Sequence, residues 1–193
     1  MLVLRTQHGV TLIELMIVIV VFSIVLALGM PSFSEWIQNA QIRTAAESVQ
    51  NGLQLARNEA VRRNVNVRFD LTASDGTVAW TVGCVNTAQC PASLRQRAAE
   101  EGGGLARAGV STATPLPAFT TAIASTTGLP AGVTFNGLGA VPSANAGTDI
   151  TRIDITNSAS ATARRLVIVV SNGGLIRMCD PALSLSSNPQ GCN

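Results

Sequence analysis

The segment from Val10 to Met30 is almost wholly apolar and carries one charge, the carboxylate of Glu14. A helix of these 21 residues would be ~31 Å long, enough to cross the hydrocarbon layer of a bilayer. Arg5 precedes the segment and Glu35 follows it, so the positive-inside rule places the first residues in the cytoplasm and the rest outside. The segment therefore predicts a membrane-inserted helix between a short leader and an exported domain.

Three kinds of N-terminal segment are consistent with this pattern. One is a plain signal anchor, and another is a secretory signal peptide cut after Ala27-Leu28-Gly29, where small residues flank a leucine. The third is cut before the apolar residues, so that the helix stays in the mature protein. A carboxylate inside such a helix costs at least ~2–3 kcal/mol on insertion scales, and only a helix that assembles with others gains from it. Glu14 therefore favours cleavage after Gly9, which leaves the new amine of Val10 about one helical turn from the carboxylate.

The stretch Gly9-Val10-Thr11-Leu12-Ile13-Glu14-Leu15 resembles the class III signal of type IV pilins and type II secretion pseudopilins. The resemblance implies that a prepilin peptidase cuts after Gly9 and methylates the amine of Val10, where phenylalanine or methionine is more usual. It also implies that Glu14, at the fifth mature position, pairs with the amine of a neighbouring subunit and sets the register of assembly. Pro31 falls where many pilins have a proline, and we expect it to kink or interrupt the helix.

The composition leaves few groups for catalysis. All 13 basic residues are arginine, lysine and tyrosine are absent, and the single histidine, His8, lies in the predicted leader. The mature chain thus lacks the usual general bases except carboxylates, and its 11 acidic residues are scattered apart from the adjacent Glu100 and Glu101. We predict no enzymatic activity, no cofactor and no metal site. The glycines at 102–104 lack the preceding strand and following helix of a phosphate-binding loop.

The four cysteines form no C-x-x-C pair, and this spacing disfavours zinc. In an exported domain an even number of cysteines favours disulfides. Three pairings are possible. We predict the sequential one, Cys84 with Cys90 and Cys179 with Cys192, because each pair closes a short local loop.

The predicted organisation has four parts: a leader (1–9), a transmembrane and assembly helix (10–31), an amphipathic half of the same spine helix (32–63) and a β-rich periplasmic head (64–193). Apolar residues recur at three- and four-residue steps in the amphipathic half. They are Ile42, Ala45, Ala46, Val49, Leu53, Ala56 and Ala60. We expect this stripe to pack on the sheet of its own head and the helix to end near Asn64. Trp36 suits either a membrane interface or a contact between subunits.

After Asn64 the spacing of apolar residues changes to two, which is typical of strands. The predicted strands cover 65–71, 78–82, 133–135, 153–155, 166–170 and 175–178. Asp75-Gly76 and Asn172-Gly173 are predicted turns. The stretch 91–127 is rich in Gly, Ala, Ser and Thr, and we predict a long loop there, with a short helix over 93–101. The fold class is therefore α+β, a long spine helix packed on an antiparallel sheet.

Two further stretches, Leu53–Arg63 and Leu129–Gly139, resemble the GspH/FimT group of minor pseudopilins and minor pilins. The resemblance implies a subunit near the tip of a pilus or pseudopilus that helps to initiate or cap the fibre. The implied partners are other pilins or pseudopilins, the prepilin peptidase and the assembly platform of the inner membrane. Membership of a type IV pilus and of a type II secretion system both stay open. The stretch Gly174–Pro181 and the terminal cysteine loop look more like the pilus-associated members.

Some FimT-like minor pilins bind DNA through a Gly-Arg-x-Arg motif before the cysteine loop. The corresponding stretch is Gly174-Leu175-Ile176-Arg177, in which half of the basic pair is missing. Arg164 and Arg165 would supply some of that charge, since phosphate binding needs several cations on one face. The competing interpretation is that Arg177 is a solvated strand residue and that Arg164 and Arg165 protect a sheet edge from aggregation.

Overall fold

The computed structural model describes residues 9–101, 104–160 and 162–192, with the side chains of 28–32 excepted. Most of the predicted leader, including His8, and Gly102 and Gly103 lie outside the described residues. The chain divides into two compact units, Met1–Ile37 and Gln38–Asn193. In chain order the elements are α1 (Leu12–Arg63), β1 (Val67–Leu71), β2 (Trp80–Cys84), β3 (Arg95–Arg97), β4 (Ala106–Ser111), β5 (Ala131–Phe135), β6 (Arg152–Asn157), β7 (Leu166–Val170) and β8 (Ile176–Cys179). A short 3₁₀ turn covers Ser143–Asn145.

Helix α1 includes position 31, so the expectation of an interruption at Pro31 is wrong. A kink at this position stays a prediction. The apolar segment and the amphipathic segment thus belong to one helix by backbone assignment. This continuity is compatible with the lost amide donor of proline, because neighbouring turns supply the remaining hydrogen bonds of a helix.

The predicted stripe on α1 forms the centre of the head. All seven of its residues are buried against strands of the second unit. Gly52 lies on the same face, where a Cβ atom would stand 2.7 Å from a ring carbon of Phe69. The glycine therefore permits close packing of α1 on β1 and β2, at the cost of a poor helix former in mid-helix. The indole nitrogen of Trp80 donates a hydrogen bond to Ser48 Oγ at 3.0 Å and ties β2 to the helix.

The strands form two antiparallel sheets of four strands each, in the orders β3-β2-β1-β5 and β4-β6-β7-β8. In β1 the residues Val67, Phe69 and Leu71 face the core, while Arg68 and Asp70 alternate with them. The two sheets meet through an isolated bridge between Thr77 and Arg107. The predicted α+β fold is confirmed, with two sheets in place of one.

The prediction of a long loop over 91–127 is wrong, because β3 and β4 lie within it, and no helix forms over 93–101. Apart from Arg107, strand β4 is built from small or medium-sized residues, and Ala106, Ala108 and Val110 are buried. The small size of the side chains in β4 has a physical reason. The segment before β5 crosses directly over the strand, and a Cβ atom at Gly109 would collide with the carbonyl of Ala124. Small residues here reflect close packing and not flexibility.

Helix α1 ends at Arg63, as the sequence predicts. Asn64 follows in the left-handed region with φ of 53°, a conformation that asparagine tolerates better than most residues. The amide of Val65 then donates to the carbonyl of Ala60 at 3.2 Å, which satisfies one of the last helical carbonyls. This left-handed cap turns the chain sharply into β1.

Candidate functional site

The start of α1 brings together the residues that the sequence singled out for processing and assembly. Gly9 and Val10 precede the helix outside regular secondary structure, and Thr11 caps it. The side-chain oxygen of Thr11 accepts a hydrogen bond from the amide of Glu14 at 3.3 Å, and its carbonyl accepts one from Leu15 at 3.1 Å. Thr11 and Glu14 therefore occupy the positions of a capping box, a signal that is visible in the sequence. A carboxylate in this first turn also interacts favourably with the positive end of the helix dipole.

The apolar part of α1 exposes its side chains on every side. Fourteen large apolar residues from Val10 to Leu26 are exposed in the single chain. The hydroxyl of Ser23 is internally satisfied, because it donates to the carbonyl of Ile19 at 2.7 Å. Glu14 is exposed and has no ion-pair partner among the described residues. A helix that is apolar all round needs an apolar surrounding or other helices against it.

Among the described residues, no helical stretch combines the length and the apolarity needed to cross a membrane.

Two disulfides tie down the head. Cys84 is bonded to Cys90 with 5.6 Å between their Cα atoms, and Cys179 to Cys192 with 5.1 Å. This is the predicted sequential connectivity. The second bond closes the C-terminal loop, in which the amide of Asp180 also donates to the carbonyl of Gln190 at 2.7 Å. Across residues 9–101, 104–160 and 162–192 no group of three metal-ligating side chains is placed to hold an ion.

The three arginines considered for DNA contact all have partners within the head. Arg164 is exposed and forms an ion pair with the buried carboxylate of Asp180. Arg165 is 15% exposed and pairs with the buried Asp154. Arg177 is half-buried and donates to the carbonyl of Gly191. Arg164 and Arg165 precede β7 and do not lie within it. Because these groups are already paired, they do not form the free cationic face that the sequence suggested.

The sequence reasoning missed a buried charge cluster on β6. Arg152 and Asp154 are both 0% exposed, and their side chains form a two-point contact at 2.7 and 2.9 Å. The guanidinium of Arg152 also donates to three backbone carbonyls, those of Pro117, Ala118 and Thr121. It lies 5.0 Å from the centre of the Phe119 ring. The pattern Arg-x-Asp in a strand was the available signal, since residues two apart share one face.

This cluster fixes the backbone of the segment before β5. It holds structure in place and is not arranged as a reaction site. Its donors and acceptors are satisfied, and no buried side-chain nitrogen or oxygen among the described residues lacks a hydrogen-bond partner. Arg68 forms a second network, in which it contacts Asp70 at 2.8 Å and the buried Asp149 at 2.8 Å. Such satisfied networks hold loops in place.

Comparison with known proteins identifies two regions. The family model described as type II transport protein GspH matches residues 45–174, two thirds of the chain. The model of the prokaryotic N-terminal methylation motif matches residues 4–30. No curated protein sequence matches the chain.

The structure is similar to solved minor pilins and pseudopilins. The type IV minor pilin FimU of Pseudomonas aeruginosa matches in two crystal forms. In space group P21 the identity is 20%, the match covers 79% of this chain and 95% of FimU, and the TM-score is 0.48. In space group P65 the identity is 22%, the match covers 78% of this chain and 99% of FimU, and the TM-score is 0.45. The minor pseudopilin EpsH of the Vibrio cholerae type 2 secretion system is 12% identical over 74% of this chain and 99% of EpsH, with a TM-score of 0.49.

The head and the N-terminal motif thus point to one class of protein. The GspH model spans α1 from residue 45 to its end and the strands up to the β7–β8 turn, and the methylation motif spans the residues around Gly9 and Glu14. The chain belongs to the GspH family of type II transport proteins and carries a prokaryotic N-terminal methylation motif.

Proposed function

We propose that this protein is a minor pilin that helps to initiate or cap a type IV pilus. In this proposal a prepilin peptidase cuts after Gly9 and methylates the amine of Val10, and the head lies in the periplasm before it enters the fibre. The helix at 10–31 is then a single pass through the inner membrane, where it meets the assembly platform. Pro31 kinks this helix where the apolar segment ends.

One observation carries the proposal. Glu14 is the only charged residue in the apolar part of α1, and it lies in the first turn, close to the amine that cleavage would create. In an apolar surrounding its charge is costly. A terminal ammonium of a neighbouring subunit offsets this cost only when the helices stack in one register. Glu14 therefore makes assembly selective for the correct axial offset.

The test is a Glu14→Ala variant of the full chain, with Glu47→Ala as the control. Glu47 lies on the same helix and, among the described residues, forms an ion pair only with the exposed Arg43, so its loss should leave assembly unchanged. Mass analysis of the mature N-terminus reports cleavage after Gly9 and the methyl group on Val10. We expect the Glu14 variant to be cleaved and to enter fibres at a much lower level than the parent. Normal incorporation would refute the register role, and a native chain that starts at Met30 or Pro31 would refute the whole proposal.

A second candidate is a minor pseudopilin of a type II secretion system. The description of the matching family favours it. The terminal loop closed by Cys179 and Cys192 favours the pilus, by its resemblance to pilus-associated members. Deletion of the gene separates the two candidates. Loss of surface pili with normal secretion supports the pilus, and loss of secreted enzymes with normal pili supports the secretion system.

A role in DNA uptake has less support, because Arg164, Arg165 and Arg177 are paired within the head. Affinity for duplex DNA should fall steeply with salt if several phosphates are contacted. We expect no measurable affinity of the protein for DNA even at low ionic strength.

A further inference from the structure

The two sheets of the head have four edge strands, and three of these edges are protected against pairing with another chain. The segment before β5 lies along β4, where the amide of Val110 donates to the carbonyl of Thr127 at 2.9 Å. The segment before β6 lies along β5, where the amide of Ile150 donates to the carbonyl of Gly132 at 2.9 Å. Strand β3, Arg95–Arg97, has three residues with an arginine at each end. Short, charged edges of this kind discourage the addition of a strand.

The fourth edge, along β8, is open. In an antiparallel pair, residues whose backbone groups bond the neighbouring strand alternate with residues whose groups face away from it. The amide of Ser171 donates to the carbonyl of Leu175 at 3.0 Å where the β7–β8 turn closes. Every second residue from Leu175 onwards therefore bonds β7, and the backbone groups of Ile176 and Met178 face outwards. The described residues form no hydrogen bond with these outward groups. Ile176 and Met178 are here called the open edge.

The chain itself pairs with the same edge one step further along. Asp180 follows Ile176 and Met178 in the same alternation, and its amide donates to the carbonyl of Gln190 at 2.7 Å. The amide of Cys192 donates back to the carbonyl of Asp180 at 3.2 Å. The C-terminal segment thus forms a parallel bridge just beyond β8. The backbone at this edge therefore has the geometry that a further strand needs.

A groove of about 260 Å³ lies between the open edge and helix α1. It is lined by Leu175 and Ile176 on one side and by Gln54, Arg57 and Asn58 on the other. The Nε of Arg57 donates to the carbonyl of Gly139 at 3.0 Å, which orients the guanidinium. Within the parts of the chain that the structure describes, no carboxylate forms an ion pair with Arg57. An occupant of this groove therefore meets unpaired backbone groups, apolar side chains and one cation.

We propose that the open edge binds an extended segment of a different subunit of the fibre, which joins the sheet as an added strand. A strand at ~4.8 Å from β8 forms main-chain hydrogen bonds with Ile176 and Met178. Its apolar side chains, at every second position, cover the groove. Its carboxylate neutralises Arg57. The chemistry of the partner is thus an extended, apolar segment that carries at least one acidic residue.

A second copy of this chain is a poorer occupant of the open edge. Edge-to-edge pairing of two copies places Arg57 and Arg177 of both copies at one interface, and like charges there oppose binding. A strand from a different subunit ends the pairing at that partner, so the contact does not repeat along the fibre. This suits a subunit that initiates or caps a fibre, and the inference rests on that proposed function.

The first test uses the full chain in detergent micelles and a synthetic peptide of alternating valine and threonine with one central glutamate. We expect the peptide to bind and to slow hydrogen exchange at the amides of Ile176 and Met178 at least about tenfold. An added strand uses only every second amide of the peptide. N-methylation of one alternate set of peptide amides should therefore weaken binding far more than N-methylation of the other set. Equal effects of the two sets, or unchanged exchange at both residues, would overturn the proposal.

The second test asks whether Arg57 selects a carboxylate. A lysine in place of the peptide's glutamate should weaken binding about fivefold. Arg57→Gln should do the same for the glutamate peptide, and glutamine keeps a donor for the carbonyl of Gly139. The control is Arg95→Gln, at the protected edge β3, which should leave binding unchanged. The peptide exchange needs no protein variant, so it decides the question even if Arg57→Gln lowers the thermal unfolding midpoint. Equal affinity for both peptides would refute the role of Arg57.

The third test identifies the partner in the native membrane, with a photoreactive benzophenone side chain at position 54. We expect a cross-link to a different polypeptide, mapped by mass spectrometry to a segment next to an Asp or Glu. Arg57→Gln should remove this cross-link and Arg95→Gln should not. A cross-link to a second copy, or none, would overturn the assignment of the partner. If the protein enters fibres but the peptide does not bind, this inference fails and the proposed function stands. If the cross-link forms but no fibre contains the protein, the proposed function fails alone.

Discussion

The same short pattern, Arg-x-Asp within a strand, has two different roles in the head. In β1 the pair Arg68 and Asp70 is partly solvated, and Asp70 is 41% exposed at the side chain. In β6 the pair Arg152 and Asp154 is fully buried beneath the segment that contains Phe119. Solvent screens the first pair, while the second depends wholly on its partners. The surroundings therefore decide what each arginine contributes.

Removal of one carboxylate from each pair should reveal this difference. Asp154→Ala leaves the guanidinium of Arg152 buried without its counter-charge, so we expect the free energy of unfolding to fall by ~3–5 kcal/mol. Asp70→Ala should cost less than ~1 kcal/mol. Urea unfolding of the head, residues 38–193, measures both. Equal decreases in the free energy of unfolding for the two variants would contradict the claim that burial makes the Arg152–Asp154 pair the more important one.

At the scale of elements, the last turns of α1 combine a charge cluster with a left-handed cap. Glu59 accepts hydrogen bonds from Arg62 at 2.7 Å and from Arg63 at 2.7 Å. These hydrogen bonds, first from Arg62 and then from Arg63, hold the pKa of Glu59 below its ordinary value of 4.5. The two arginines also lie at the negative end of the helix dipole. The cluster keeps the end of α1 folded where the chain turns into β1.

This cluster should make stability depend on pH in a defined window. Because the pKa of Glu59 is lowered by folding, its contribution is present above pH 4.5 and is lost as the pH falls below that value. We therefore expect the parent to have a larger free energy of unfolding than Glu59→Gln at neutral pH. This difference, the gap in stability, should become smaller as the pH falls below 4.5. In a background with Arg62→Gln and Arg63→Gln the gap should be small at every pH. Parallel stability curves for parent and Glu59→Gln would show that the carboxylate contributes nothing.

At the scale of the whole molecule, the head is a helix covered by two sheets with its C-terminal loop held by a disulfide. The loop is also attached by contacts from Arg164 to Asp180 and from Arg177 to Gly191. The cysteines of this bond are 13 residues apart, and those of the Cys84–Cys90 bond are 6 apart. A longer closed loop removes more entropy from the unfolded chain.

Replacement of Cys179 and Cys192 by serine should lower the free energy of unfolding by ~2–4 kcal/mol. The same change at Cys84 and Cys90 should cost about 0.6 kcal/mol less, because that loop is about half as long. Urea unfolding of the oxidised parent and the two double variants gives the comparison. A larger decrease in the free energy of unfolding for the Cys84 and Cys90 variant would show that local packing outweighs loop entropy here.

Much of this fold was predictable because periodicity reflects burial. The stripe from Ile42 to Ala60 and the alternation in β1 were correct, since each element has one face against the core. Strand β4 was missed because its alanines and Gly109 look like loop composition. Their small size is explained only by the segment at Ala124 that passes across them.

The described sites also include a part that could be predicted from the sequence and a part that could not. The capped start of α1 with Glu14 was readable from spacing alone, because a helix N-terminus depends on neighbouring residues. The contact of Arg57 with the turn after β5 was not readable, since it joins the end of α1 to residues that follow Phe135. Residues far apart in sequence meet there through the two sheets.

The sequence by itself determined the apolar helix with its one carboxylate, the amphipathic stripe, most strands and the local disulfide pairs. These features depend on composition and on spacing within a few residues. Only the tertiary structure decided that Arg152 and Asp154 are buried and that Arg165 is paired. The physical reason is that the burial of a charge or a leucine depends on which distant segment covers it.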